Sequence, residues 1–204
     1  MKAQELRQRL LAALSILDES SDELRELDSA VGDGDLGVTV HAIVTAAQSA
    51  LQVLPAGVTP EELLTLMGAT VSTANPSTFG SLVGAGIGAG AKAVAGTTDL
   101  SQEDLVRFGF AVTESIARRG KSGVGDKTVL DAMVPSLEAL VDTDAGGVAA
   151  LELAIAAATV SIELTAGDVA KKGRASWAGE RGIGTPDAGA VAYLRFLQAL
   201  RASF

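Results

Sequence analysis

The chain has 204 residues, a net charge of −9 and a pI near 4.6, an acidic balance that argues against nucleic acid or an anionic membrane surface as partner. Hydrophobic residues make up 48% and mean hydropathy is +0.32, which excludes bulk disorder; with only 3% aromatics the core is built from Ala, Leu, Val and Ile, favouring helix over sheet. The lack of cysteine excludes disulfides, thiol nucleophiles and thiolate metal sites, and the single histidine, His41, excludes any centre that needs two.

The first twenty residues, MKAQELRQRLLAALSILDES, carry an apolar stripe broken by charges and read as an amphipathic helix, not a leader peptide. Thr59-Pro60-Glu61-Glu62 places an N-cap, a proline at the first helical position and an acid at the third, with Leu63, Leu66, Met67 and Thr70 at helical spacing behind it. The uncharged stretch 63–91 holds the polar, proline-containing run STANPSTFGS, so no apolar run reaches the ~18 residues a membrane span needs. Gly80, Gly84 and Gly88 recur every four residues and put a smooth stripe on one helix face, suited to close approach of a neighbour. Ser101-Gln102-Glu103-Asp104 is a second capping box, followed by Leu105, Phe108, Val112 and Ile116 on one face. Leu130, Val134, Leu137 and Val141 form another stripe. Residues 147–165 are apolar nearly all round and read as a central helix. Asp187 caps a last helix with Val191, Leu194 and Leu197 facing inward. No alternating strand pattern occurs, so the expectation is an all-α domain spanning 1–204, located in the cytoplasm.

Four connections, 28–39, 73–80, 120–128 and 171–189, carry glycine beside acids, hydroxyls or basic residues. A bundle needs only short polar loops, so loops this specialised mark one end of it as a site. In LDSAVGDGDLGVTV the acids Asp28, Asp33 and Asp35 are spaced by five and two residues, which no single face of a straight helix accommodates. The intervening glycines let them converge, and converging carboxylates repel unless a cation neutralises them. Hard oxygen donors suit Mg²⁺ or Ca²⁺, but a calcium loop counted from Asp33 places Gly37, Val38 and Val44 where an acid, a glycine and a glutamate are needed. On its own the loop equally reads as a turn with capping acids. GSLVGAGIGAG lacks the preceding strand and the glycine spacing of a dinucleotide fingerprint, and no Walker A sequence exists. His41 reads as an ordinary helix position or as a ligand or base; Asp126, in Gly125-Asp126-Lys127-Thr128, as an N-cap or part of an anion-binding helix start. Lys171-Lys172-Gly173-Arg174 is a dense basic cluster, a phosphate contact or a solvated loop.

Three segments, LDSAVGDGDLGVTV, GVGDKTVLDAMVPSLEAL and AKKGRASWAGERGIGTPDAGA, follow in that order. Together they resemble the nucleotide-binding L subunit of bacterial dihydroxyacetone kinase, also found as the C-terminal domain of one-chain dihydroxyacetone kinases. The resemblance covers almost the whole chain, and KGRASWAGERGIG and GDKT-x-x-D are long and specific. It implies an antiparallel barrel of about eight helices with ADP or ATP bound in the loops at one end. It implies that Asp28, Asp33 and Asp35 hold two Mg²⁺ ions bridging to the phosphates. The nucleotide would be touched by Leu36, Gly37, Val38 and Thr39, by Thr78 and Phe79, and by Gly120, Val129, Arg174, Asp187, Ala188 and Gly189. Leu36 stands where the family often has histidine, and Phe79 where a small residue of a Gly-Ser-Gly-like turn is usual; Phe79 would stack on the adenine or fill part of its pocket. The implied activity is phosphoryl transfer to a triose or tetrulose held by a separate K subunit, whose histidine binds the ketone as a hemiaminal. The phosphoryl donor is ATP or the phosphohistidine of a phosphotransferase-system M subunit. The rival readings are a non-catalytic nucleotide-binding regulatory subunit and a purely structural bundle; a homodimer is compatible with all three.

Overall fold

The computed structural model describes residues 1–141 and 143–204. Among them are α1 (Ala3–Asp18), α2 (Ser21–Val31), α3 (Leu36–Val53), α4 (Pro60–Thr73), α5 (Thr78–Ala93), α6 (Gln102–Gly120), α7 (Leu130–Glu138), α8 (Gly147–Ala166) and α9 (Ala188–Ala202), with a 3₁₀ segment over Arg174–Gly182 and no strand. Both expected capping boxes form. Thr59 Oγ1 accepts from the Glu62 N–H and Glu62 returns a carboxylate to the Thr59 N–H at 2.8 Å; Ser101 and Asp104 repeat the exchange.

From α3 to α9 each helix packs on the next, α9 packs on α1, and α1 packs on α3, so eight helices close a ring. Helix α2 lies against α3, α9 and the 3₁₀ segment, tied to α9 by a two-pronged pair in which Arg195 donates to Glu23 at 2.5 and 2.7 Å. Contacts between ends show the alternating direction. The Met1 ammonium donates to the Leu100 carbonyl at the start of α6, and Arg201 near the end of α9 donates to Glu152 near the start of α8. The starts of α3, α5, α7 and α9 therefore share one end of the ring with the ends of α2, α4, α6 and α8.

Small residues set the tight places. A Cβ on Gly84 would sit 2.5 Å from the Ser72 nitrogen, and one on Gly68 2.9 Å from the Gly84 carbonyl, so α4 and α5 touch backbone to backbone. Gly88, part of the same stripe, has open space where its Cβ would be, so the close approach rests on Gly84 and its partner Gly68. In α7, Pro135 has no N–H to offer the Asp131 carbonyl one turn back. Ser161 of α8 donates its hydroxyl to that carbonyl at 2.5 Å, stitching the two helices. Between α7 and α9, Ser136 and the sole tyrosine, Tyr193, share a 2.7 Å bond.

Three expectations are corrected. Helix α8 is a wall of the ring, not its centre: only Ala150, Ala154, Ala158 and Ile162 are fully buried, while Val160 and Leu164 face solvent, Leu164 at 73% exposure. Total hydropathy counted residues that the helix shows outward; the stripe of Ala150, Ala154, Ala158 and Ile162 faces the ring. Leu105 is exposed at the first turn of α6, and Val141 lies beyond the end of α7 and is exposed. Helix α2 reaches into the stretch read as one loop and carries Asp28 on its last turn, leaving a connection of four residues before α3. Helices α3 and α8 are long and apolar enough by composition to cross a membrane, and each turns a buried face to the ring.

Candidate functional site

Asp28 leaves the last turn of α2, Asp33 stands on the connection and Asp35 occupies the N-cap position of α3. Between the latter two, Gly34 has φ +75°, a left-handed conformation that glycine adopts without penalty. The result is convergence: Asp28, Asp33 and Asp35 each offer a carboxylate oxygen within 4.8 Å of the others. Asp28 Oδ2 also accepts from the Leu36 N–H at 3.2 Å. Burial pushes the Asp28 carboxyl above the usual carboxylate range, with Asp33 and Asp35 adding to the shift and the Leu36 N–H opposing it. Three hard oxygen donors at this spacing fit a hard divalent cation such as Mg²⁺.

The protein supplies a counter-charge of its own. Arg174, at the start of the 3₁₀ segment, donates Nη1 to Asp35 Oδ2 at 2.7 Å and to Asp33 Oδ2. Its guanidinium holds the Asp33 carboxyl below the usual range. Arg174, expected as a nucleotide contact, thus lies on the acid loop.

The other expected residues fall into two groups. Leu36 is buried in the core with its N–H on Asp28 Oδ2, and Gly37 packs against the start of α2. Val38 is exposed, and Thr39 is fully buried, its hydroxyl accepting from Asn75 Nδ2 at 2.9 Å. That bond ties the α4–α5 connection to the first turn of α3. Thr78 is exposed at the first turn of α5, and the Phe79 ring stands 3.2 Å from where a Cβ on Gly189 would be. Asp187 caps α9, accepting from the Ala190 N–H at 2.8 Å as expected; burial pushes its carboxyl up to about 6. Ala188 is buried behind it. Gly120 and Val129 belong to the far side of this end. Gly120 closes α6 near Leu82, and Val129 packs with Val112, Ile116, Leu130 and Met133; among the described residues no hydrogen bond joins either to the acid loop.

Asp126 does not cap α7. It accepts from the Gly123 N–H at 3.0 Å and closes its own turn. The fully buried Asp131 takes the Gly125 and Thr128 N–H groups at 2.5 and 2.6 Å, a role its place in GDKT-x-x-D foreshadows by spacing alone. Asn75 and Lys127 are the other residues given no role in advance; a buried lysine in a loop is visible only once the loops are brought together. The basic cluster divides: Lys171 donates to the Gly125 carbonyl at 2.7 Å, while Arg174 turns to the acids. His41 sits outside the cluster, its Nδ1 2.8 Å from Asp18 Oδ1, joining α1 to α3.

Four helix N-termini, those of α3, α5, α7 and α9, open on this end, and their free N–H groups and aligned dipoles favour anions there. A cleft of about 380 Å³, lined by Lys2, Arg7, Pro55 and Thr98 among others, lies at the opposite end. The arrangement at the loop end is a carboxylate cluster beside the starts of four helices, with the Arg174 guanidinium on two of its acids.

Residues 30–202 match the DAK2 domain. The chain is 34% identical over 173 residues to the PTS-dependent dihydroxyacetone kinase, ADP-binding subunit DhaL, of Lactococcus lactis, covering 85% of this chain and 83% of that one. It is 33% identical over 186 residues to the L-erythrulose 1-kinase of Mycolicibacterium smegmatis, covering 89% of this chain and 32% of the relative. The dihydroxyacetone kinase of C. freundii, crystallised with AMP-PNP and Mg²⁺, superposes with a TM-score of 0.78 at 24% identity, over 98% of this chain and 34% of that one. The chain therefore spans about a third of the one-chain kinases and most of the lactococcal subunit. The all-helical fold is that of the matching third of the C. freundii chain.

Proposed function

The chain belongs to the DAK2 domain family, and we propose that it is the ADP- or ATP-binding subunit of a cytoplasmic triose or tetrulose kinase, residues 1–204 forming one nucleotide-binding domain. The observation that carries the reading is the convergence of Asp28, Asp33 and Asp35 at the end where four helices begin. Asp28, Asp33 and Asp35 would hold Mg²⁺, two ions in this reading, whose charge would offset that developing on the phosphoryl group in transfer. The chain's own part is positioning. The acid loop fixes the phosphate end of the nucleotide, Arg174 is placed to reach a phosphate oxygen with a two-pronged contact, and Phe79 with the 187–189 turn forms a wall for the base. Leu36, Gly37, Val38, Thr39, Thr78, Gly120, Val129 and Ala188 complete the proposed contact set.

Support for a separate substrate-binding partner is chemical. A small hydroxyketone offers few atoms for affinity, and the one imidazole, His41, is engaged by Asp18 away from the acid loop. A K subunit that captures the ketone covalently supplies what this chain lacks. The test is phosphorylation of dihydroxyacetone or erythrulose with ATP and Mg²⁺, with and without such a subunit. Activity that appears only with the partner is expected; robust turnover by the isolated chain, surviving His41→Ala, overturns the two-subunit reading. Retention of ADP through gel filtration selects a phosphohistidine M subunit as donor, and rapid exchange selects ATP.

A further inference from the structure

Lys127 is 3% exposed and stands in the GDKT turn with φ +60°, a left-handed backbone that a side-chain-bearing residue keeps only where its surroundings fix it. Its ammonium donates to three carbonyls: Asp168 at 2.8 Å, Gly182 at 2.9 Å and Ala166 at 3.0 Å. All three N–H groups are thereby used. The acceptors lie at the end of α8, on the loop after it and at the end of the 3₁₀ segment. One side chain thus holds both feet of the stretch 166–182, and a bond from the Gly184 N–H to the Ala166 carbonyl, at 2.8 Å, closes the same base. Arg174 and Trp177 stand on the span between the feet.

The turn presenting Lys127 is itself held. Asp131 accepts from the backbone on both sides of it, and Lys171 reaches back to the carbonyls of Asp126, through its N–H at 3.0 Å, and Gly125, through its ammonium at 2.7 Å. Burial of an ammonium without a carboxylate in contact is costly. Here Asp187 and Asp168 offset part of that cost through space. A strained backbone, a buried charge and three carbonyl acceptors meet at the base of the segment that delivers Arg174 to Asp33 and Asp35.

We propose that Lys127 is a positioning residue: by clamping 166, 168 and 182 it fixes where Arg174 stands over the acid loop, and so sets the affinity of that end for Mg-nucleotide. This rests on the function proposed above. The test uses the full chain with Lys127→Met, read by amide hydrogen exchange and by calorimetric titration with Mg-ADP. Faster exchange in 168–184 is expected, with α4–α6 protected as in the parent, together with a fall in Mg-ADP affinity of about tenfold. Lys127→Gln, which keeps two donors, takes its place if Lys127→Met does not fold, with smaller changes in the same directions. Unchanged exchange in 168–184, or faster exchange there with parental Mg-ADP affinity, overturns the proposal. If the parent chain binds no Mg-ADP, the functional reading fails, and exchange in 168–184 alone decides whether Lys127 fixes the segment.

Discussion

One nitrogen of Arg174, Nη1, donates to the carboxylates of Asp33 and Asp35 at once, joining residues far apart in sequence across the mouth of the ring. All three side chains are 40–44% exposed, so the contact adds little to stability in water. Its consequence is electrostatic: the acid loop carries its own cation.

Arg174→Ala should therefore act in two opposite directions. Without the guanidinium the three acids repel, so Mg²⁺ alone should raise the melting temperature of the variant more than that of the parent. Mg-ADP affinity should fall about tenfold or more, because the charge-assisted contact to phosphate is lost. Arg174→Lys should restore the counter-charge but only part of the affinity, since an ammonium cannot make a two-pronged contact. Thermal melts with Mg²⁺ and calorimetry with Mg-ADP read the two effects separately; equal responses of variant and parent in both would remove Arg174 from the site.

Asp28→Asn tests the acid loop from its most enclosed member. A carboxyl raised in the fold binds a proton that the unfolded chain has released, so its ionisation at neutral pH disfavours folding. Asparagine removes that charge and keeps an oxygen for the Leu36 N–H. The variant should be as stable as the parent or slightly more so at pH 7, and Mg²⁺ should no longer raise its melting temperature. Phosphoryl transfer with the partner should be abolished. A variant that retains activity would show that Asp28 is not a metal ligand.

Much of the fold could be read in advance because its signals are local. Thr59, Ser101 and Asp187 cap the helices they were expected to cap, since a hydroxyl or carboxylate four residues ahead of an apolar stripe needs no tertiary context. The three acids were legible because only a turn can bring such spacings together. What failed needed the third dimension. Helix α8 is apolar on every side, and only the ring decides that its alanines face in. Lys127, Asn75 and the Arg174 contact depend on loops that meet only when the ring closes, so no spacing within one segment announces them.

Trp177 makes the site observable. It is the single tryptophan, 79% exposed, three residues after Arg174 on the same 3₁₀ segment. If Arg174 turns toward bound phosphate, the segment moves and the indole changes surroundings. Mg-ADP should shift or quench Trp177 emission in the parent, and the response should vanish in Arg174→Ala. Emission that stays constant while calorimetry registers saturation would show that the segment does not respond to nucleotide.

Asp187 gives a prediction with a fixed pH window. Its carboxyl titrates at about 6 in the fold, raised first by burial and further by Asp131 and Asp28, against an ordinary value of about 3.9 in an unfolded chain. Between these values the native state holds a proton that the unfolded state has lost. Stability from this group is therefore fully present below about pH 4 and is lost as pH rises through about 6. An asparagine side chain would cap α9 as well as the aspartate does, because an N-cap needs only the side-chain oxygen that the Ala190 N–H now meets. Asp187→Asn should thus match the parent near pH 4 and exceed it at pH 7 by about 1–2 kcal/mol, allowing for partial exposure of the side chain. Urea unfolding at both pH values measures the difference directly. A gain of the same size at pH 4 and pH 7 would trace it to packing, and no gain at pH 7 would mean that the charge on Asp187 is already compensated by Lys127.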